Sequence, residues 1–321
     1  MATIPVVPTT SNSHYSTPFA LLLEPRFARI FFDEYNEIEE QFSKVFNVKT
    51  SNRAVEREYG LGDFGDWVAR ADEFSTVSYQ TLSPGLERAY THTAFTSGFM
   101  VTRELYDDEM YNQMDKFPKN LARAGRAKVE KDAITVLVNA FSEDVGGTGV
   151  SAIYDGKALC AADHPLLDSA GVNDNLMSGA FTEANLRLAL LKFRALTNEA
   201  GNLIVMRASK LIIPPALEYT ARVILQSQLL PGSPNNDLNI MKGALEIVVM
   251  DYLGAASTGD SATDAYWFLQ SPEHELNFFW RVMPEFKAME EFDNFVAKYR
   301  GYMRYSYGVS DFRGIVGSPG V

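Results

Sequence analysis

Between residues 295 and 307, Phe295, Ala297, Tyr299, Met303, Tyr305 and Tyr307 alternate with Val296, Lys298, Arg300, Tyr302, Arg304 and Ser306. Successive side chains of a strand point to opposite faces, so this pattern predicts one long strand with an aromatic face and a polar one. A strand of this length cannot stand alone. Its backbone needs neighbouring strands and its aromatic face needs a covering layer, which commits the chain to a sheet buried on one side. Apolar runs at 211–213, 245–250, 266–269 and 278–282 supply further strands.

The covering layer is legible as helical periodicity. Over residues 24–46, Phe27, Ile30, Phe31, Tyr35, Ile38, Phe42, Val45 and Phe46 recur at three and four, with Asp33, Glu34, Glu37, Glu39 and Glu40 between them. This predicts one amphipathic helix. A second helix carries Met110, Met114, Phe117, Leu121, Ala124, Val129, Ala133, Val136, Leu137, Ala140 and Phe141, with Asp107, Asp108 and Glu109 expected at its positive end. Pro118 should kink it or begin a second piece, and from there to Ser142 it would span about 37 Å, enough for a spine. Thr182 can cap a third helix bearing Leu186, Ala189, Leu190, Phe193 and Leu196 and stopping near Gly201; a fourth follows Pro214 and Pro215 with Leu217, Ala221, Ile224, Leu225 and Gln228. Helices and strands without a repeating βα order make the class α+β.

Two segments have nothing of their own to bury. Residues 1–18 are rich in Pro, Ser and Thr, with Pro5, Pro8 and Pro18 holding extended backbone, and read as an arm. Residues 56–102 are punctuated by Gly60, Gly62, Gly65, Pro84 and Gly85 around runs at 76–82 and 89–96, a two-stranded excursion turning at Pro84-Gly85. An isolated hairpin is marginal in water, so this one is expected to rest on a neighbouring chain, with Phe95 a test position for that contact.

Charge narrows the function. Lys and Arg number 29 against 41 Asp and Glu, a net of −12. That balance disfavours a nucleic-acid reader, which needs clustered cations, and suits a container wall that should not adsorb a polyanion. The single cysteine, Cys160, excludes an intrachain disulfide and fits assembly in a reducing cytoplasm. The first ten residues lack the basic start and apolar stretch of a signal peptide, and no run approaches a membrane span, so neither secretion by that route nor membrane insertion is expected.

Several motifs carry both a chemical and a plainer reading. Gly60-Leu61-Gly62-Asp63-Phe64-Gly65 matches the dinucleotide pattern, but the preceding Val55-Glu56-Arg57-Glu58-Tyr59 is too charged for a buried strand, so a loop is expected. Gly146, Gly147 and Gly149 lack the Lys and Ser/Thr of a phosphate loop and stop a helix instead. Asp163-His164 with Cys160 could form a thiol–histidine pair or part of a metal site, yet no third ligand is near; a turn histidine before Pro165 and a buried thiol are the alternative. Asp107 and Asp108 point about 100° apart on a helix, which suits capping better than acid–base work. The aromatic stripe from Tyr299 to Tyr307 could stack bases beside Lys298, Arg300 and Arg304, but core or subunit contact is the preferred reading. No catalytic, cofactor-binding or metal-ligating residue is assigned.

The run Asp155-Gly156-Lys157-Ala158-Leu159-Cys160-Ala161-Ala162-Asp163-His164-Pro165, then Asn173 to Leu176 and the helix after Thr182, resembles the Mu-like phage major head subunit family. The resemblance continues through Leu211-Ile212-Ile213-Pro214-Pro215-Ala216-Leu217-Glu218, Asn239, Gly243, Glu246-Ile247-Val248-Val249, Trp267-Phe268-Leu269, Arg300 and Arg304. Upstream it includes Asp107-Asp108, so it covers about residues 90–313. It implies the Hong Kong 97 capsid fold of a tailed bacteriophage. Residues 1–55 would be the N-terminal arm and 56–98 the extended hairpin loop. The peripheral domain, with spine helix and long C-terminal strand, would be 99–144 and 293–321, and the axial domain 145–292. It further implies a structural, non-enzymatic major capsid protein of the virion that assembles in the host cytoplasm. Hexamers and pentamers would form an icosahedral shell around double-stranded DNA, without sequence-specific binding. Scaffold, portal and decoration proteins would be its partners, with no membrane and no cofactor. Some capsids of this fold crosslink through a hairpin lysine, but no Lys occurs between Lys49 and Lys116, so a non-covalent shell is expected. An encapsulin-like compartment and an unrelated soluble enzyme are the alternatives.

Overall fold

The structure, a computed structural model, describes residues 19–321 except 71, 73–75, 78, 82–83, 109–112, 143–152, 154, 168–170, 230–237 and 292–295. The expected arm over 1–18 and the glycines Gly146, Gly147 and Gly149 lie outside the described residues. In chain order the strands are β1 (Asn47–Thr50), β2 (Val55–Leu61), β3 (Pro84–Thr91), β4 (Thr93–Thr102), β5 (His164–Pro165), β6 (Val172–Asn173), β7 (Lys210–Ile213), β8 (Glu246–Val249), β9 (Trp267–Gln270), β10 (Leu276–Glu291), β11 (Val296–Val309) and β12 (Ile315–Ser318). The principal helices are α1 (Phe19–Glu37), α2 (Arg103–Asp107), α3 (Lys116–Val138), α4 (Glu183–Ala195) and α5 (Glu218–Gln226). The long C-terminal strand is therefore present as β11. Two compact units share the chain: the described part of Met1–Ile38 with Thr96–Gly125 and Pro284–Tyr302, and Glu39–Phe95 with Arg126–Met283 and Met303–Val321.

In the first unit, Leu23, Phe27, Phe31 and Tyr35 of α1 recur every four residues and are buried with Val101, Ala122, Phe286, Ala297 and Tyr299. The rings interlock: Phe27 meets Tyr299 edge-on at 5.1 Å between centroids, and Phe99 stacks on Tyr299 at 5.0 Å. β4 and β11 approach this closely because residue 98 is glycine; a Cβ there would sit 2.3 Å from the Tyr299 carbonyl oxygen.

Asp107 and Asp108 do not open the long helix, and Glu109 lies outside the described residues. The Thr102 hydroxyl accepts the Leu105 N–H at 3.3 Å and starts α2, which ends at Asp107; a short 3₁₀ turn at Gln113–Asp115 then leads into α3. Pro118 falls in the first turn of α3, where a missing N–H costs nothing, so of the two expected outcomes it is the start of a second helical piece that the structure bears out. α3 ends at Val138, short of the expected Ser142.

The expected single helix over 24–46 is also corrected. α1 stops at Glu37, and Phe42, Val45 and Phe46 are buried in the core of the second unit instead. Glu130 of α3 causes the new start: its two carboxylate oxygens accept the Gln41 and Phe42 N–H groups, each at 2.9 Å, and so cap the turn Phe42–Lys44. The apolar period runs through this break because both sides of it are buried.

The strands form two four-stranded sheets, in the orders β1-β10-β11-β4 and β12-β9-β7-β8, and two two-stranded ones, β2-β3 and β5-β6. β1 runs parallel to β10, with Asn47 opposite Asn277. In the second sheet β7 pairs parallel with β8, while β9 runs antiparallel to β7 and β12. Leu186, Ala189 and Phe193 of α4 and Ala221 and Leu225 of α5 cover it, packing with Leu211, Ile213, Trp267 and Leu269. β10 outruns the expected 278–282 because its later residues, including Pro284, Glu285 and Lys287, carry no apolar run.

Candidate assembly surface

The excursion has a different register from the one expected. β3 pairs antiparallel with β2, from Val55 opposite Thr91 to Leu61 opposite Pro84. Pro84-Gly85 thus begins a strand rather than forming its turn, and the described residues of 76–82 are not strand. The charged alternation Glu56, Arg57, Glu58, which argued against a buried strand, suits this two-stranded ribbon, where Arg57 pairs with Glu87 at 2.7 Å. No helix follows Gly65 among the described residues, so the dinucleotide reading fails there.

The root of the ribbon is tied to the body by polar contacts. His92, between β3 and β4, has Nδ1 2.9 Å from Ser306 Oγ and Nε2 3.1 Å from Ser51 Oγ; Ser51 in turn donates to Glu56 Oε1 at 2.6 Å. Ser51 has one hydroxyl proton and gives it to Glu56, so His92 Nε2–H donates to Ser51 and Ser306 donates to Nδ1. That arrangement holds a neutral imidazole and gives no activated serine. Burial first, and the Arg304 guanidinium second, hold its pKa below the usual histidine value. Beside it Glu58 accepts Asn277 Nδ2 at 2.8 Å and also the Ser310 hydroxyl, which contacts Tyr90 Oη. Burial pushes the Tyr90 phenol up.

At the far end the ribbon exposes its largest apolar side chains. Trp67 is 97% exposed and Tyr79 90%, with Phe64, Val68 and Val77 also in solvent. Soluble monomers rarely present clustered large apolar groups without a partner for them. Phe95, offered as an interface position, is instead half-buried and stacked on Tyr305 at 4.6 Å, so it belongs to the fold.

The remaining motif residues are structural. His164 is not a turn residue: it lies fully buried in β5, with Nδ1 2.7 Å from Asp155 Oδ2, Nε2 3.1 Å from Asn175 Oδ1 and its ring stacked 3.8 Å from Phe312. Asn175 is held by the Ala161 N–H and by donating to the Leu159 and Ile315 carbonyls, so the cluster staples the central loops to the C-terminal segment. Cys160 is buried against Gly317, and burial pushes its thiol well up, away from nucleophilic use. Arg313 bridges Glu199 at 2.6 Å and Asp311 at 2.8 Å. Among the described residues no group of acidic, His and Cys side chains is arranged to hold a metal, and no helix is long and apolar enough to cross a membrane. Tyr299 and Tyr305 are buried, and Lys298 and Arg300 are exposed, so the aromatic stripe is core and does not interleave with the cations.

Comparison with solved structures places this architecture in one class. The chain superposes on a structure of Microbacterium phage Oxtober96 with a TM-score of 0.53 and 8% identity, covering 88% of this chain and 92% of that one. The mature capsid of bacteriophage PhiM1 gives 0.56 and 11%, covering 85% and 84%. The capsid of the native GTA particle gives 0.53 and 11%, covering 98% and 94%. The fold is the α+β capsid fold of the Hong Kong 97 type. No curated protein matches. The phage capsid protein family model matches residues 86–318, and the chain belongs to that family. It is a structural protein of the capsid shell, a major head protein of a tailed phage.

Proposed function

We propose that copies of this chain assemble through hexamers and pentamers into a closed icosahedral head around double-stranded DNA, in the host cytoplasm, without catalysis and without sequence-specific DNA contacts. In this reading residues 1–55 carry the arm, 56–98 carry the hairpin laid on a neighbour, 99–144 with 293–321 form the peripheral domain and 145–292 the axial domain, while α1, β1 and β4 within these bounds stay packed in their own subunit. A scaffold, a portal and decoration proteins are the further partners. The observation that carries this reading is the β2–β3 ribbon, whose apolar tip has no cover within the described chain. The absence of Lys between Lys49 and Lys116 supports a shell held by non-covalent contacts.

Negative-stain electron microscopy with light scattering on purified protein tests it. Wild type should form shells, rings or tubes, whereas Trp67→Ala with Tyr79→Ala should give soluble, folded subunits with the wild-type Tm. Unimpaired shells from the double variant would remove the role given to the ribbon tip. Covalent oligomer ladders on a denaturing gel would refute non-covalent closure.

A further inference from the structure

Helix α4 has two apolar faces, and the fold uses one of them. Leu186, Ala189 and Phe193 are buried against the second sheet. Ala184, Leu188, Leu191 and Ala195 face solvent, Leu188 at 54% and Leu191 at 60% exposure. Their spacing of four, three and four is the a/d seam of a coiled coil. Arg187 and Arg194, seven residues apart and both exposed, each precede an a position and so occupy g. Beyond the helix, the Ile204 N–H donates to the Leu196 carbonyl at 3.0 Å, and the segment it anchors exposes Leu203, Val205 and Arg207. Two exposed arginines, Arg187 and Arg194, thus border an apolar seam, with Arg207 exposed on the segment beyond the helix, on a chain whose net charge is −12.

We propose that α4 is a docking site for an acidic amphipathic helix of another protein, whose leucine-type residues at heptad spacing lie along Leu188 and Leu191 and whose carboxylates face Arg187 and Arg194. A stripe of this spacing with cations at its edge is the surface against which an amphipathic helix lays its own heptad-spaced apolar face. The charge demands an acidic one. A second copy of α4 would set arginine, and Lys192 at the e position, against the same cations, a like-charge pairing that selects against it. This site does not depend on the proposal for shell closure, because it lies on the folded subunit itself.

The test uses unassembled full-length subunits and a fluorescent synthetic helix with Leu at a and d and Glu at e and g. Its counterpart with Lys at e and g is the control. Anisotropy should show binding of the Glu peptide and at least about tenfold weaker binding of the Lys peptide. Leu188→Asn with Leu191→Asn should weaken the Glu peptide by about tenfold or more, and Arg187→Glu with Arg194→Glu should invert the peptide preference. All four positions are exposed, so a wild-type melting curve is expected; the charge-reversed protein stands as the test if the Asn variant melts early. No binding, or binding that ignores Leu188 and Leu191, overturns the proposal. Self-association of wild type that the Asn substitutions abolish, together with failure of the Glu peptide to compete, would show instead that a second copy covers the seam.

Discussion

Replacing Tyr305 by Phe removes one oxygen and leaves a ring. In the second unit the Tyr305 hydroxyl donates to Asp132 Oδ2 of α3 at 2.7 Å, and the ring packs with Phe95 at 4.6 Å, Phe278 at 5.1 Å and Trp280 at 5.3 Å. A buried hydrogen bond to an ionised group contributes about 1.5–3 kcal/mol. Asp132 keeps Lys128 at 2.7 Å, so its charge is not orphaned and the lower end applies: about 1.5 kcal/mol, or a Tm lowered by a few degrees. Tyr305→Ala also empties the aromatic cluster and should cost about 3–5 kcal/mol more. The assay is urea unfolding of unassembled subunits, with Asp132→Asn and the double variant completing a cycle whose coupling should be about 1–2 kcal/mol. A Tyr305→Phe loss below about 0.3 kcal/mol, or the same loss in the Asp132→Asn background, would refute the claim that this bond fastens α3 to β11.

Gly317→Ala should cost about 1–3 kcal/mol in thermal unfolding, because a Cβ there would lie 2.5 Å from the Phe268 ring and 2.7 Å from Cys160 Sγ. Cys160 itself should resist alkylation in the native subunit and react once urea exposes it, a contrast that mass spectrometry reads directly. Burial lowers the pKa of His92, and of His274 to about 4. The unfolded chain therefore takes up protons near pH 6.5 while the folded chain does not, so stability is full above that pH and falls as pH drops toward about 4. His274→Gln should flatten the Tm profile between pH 6.5 and 4 relative to wild type, and an unchanged slope would contradict the assignment.

Elements that are apolar on one face and local in their contacts are legible in the sequence alone. β11, α4, β7, α5, β8 and β9 fall where alternation, the Thr182 cap and the Pro214-Pro215 exit put them. What was not legible depends on partners distant in sequence. The break between Glu37 and Phe42 is made by Glu130, and nothing in the local pattern announces it. The β2–β3 register puts Pro84-Gly85 at the start of β3 rather than in the turn, and its contacts, such as the diagonal pair of Arg57 with Glu87, join residues too far apart in sequence for local turn signals to announce. β12 was missed because Ile315, Val316, Gly317 and Ser318 are buried on both faces and show no alternation. Asp155, His164 and Asn175 form one cluster through loops whose closure no spacing encodes. The exposed seam of α4 was open to the same periodicity that located its buried face, since Ala184, Leu188, Leu191 and Ala195 repeat as regularly.

The parallel pairing of β1 with β10 also sets a clock on synthesis. Residues 47–50 have their hydrogen-bonded partners at 277–280. At about 5–20 residues per second, the ribosome needs about 10–50 s after making β1 to deliver the strand beside it. For that interval Phe42, Val45 and Phe46 have been made but the full core that buries them has not. The nascent chain is a candidate client for holding chaperones, and its yield should depend on translation speed more than the stability of the finished subunit would suggest.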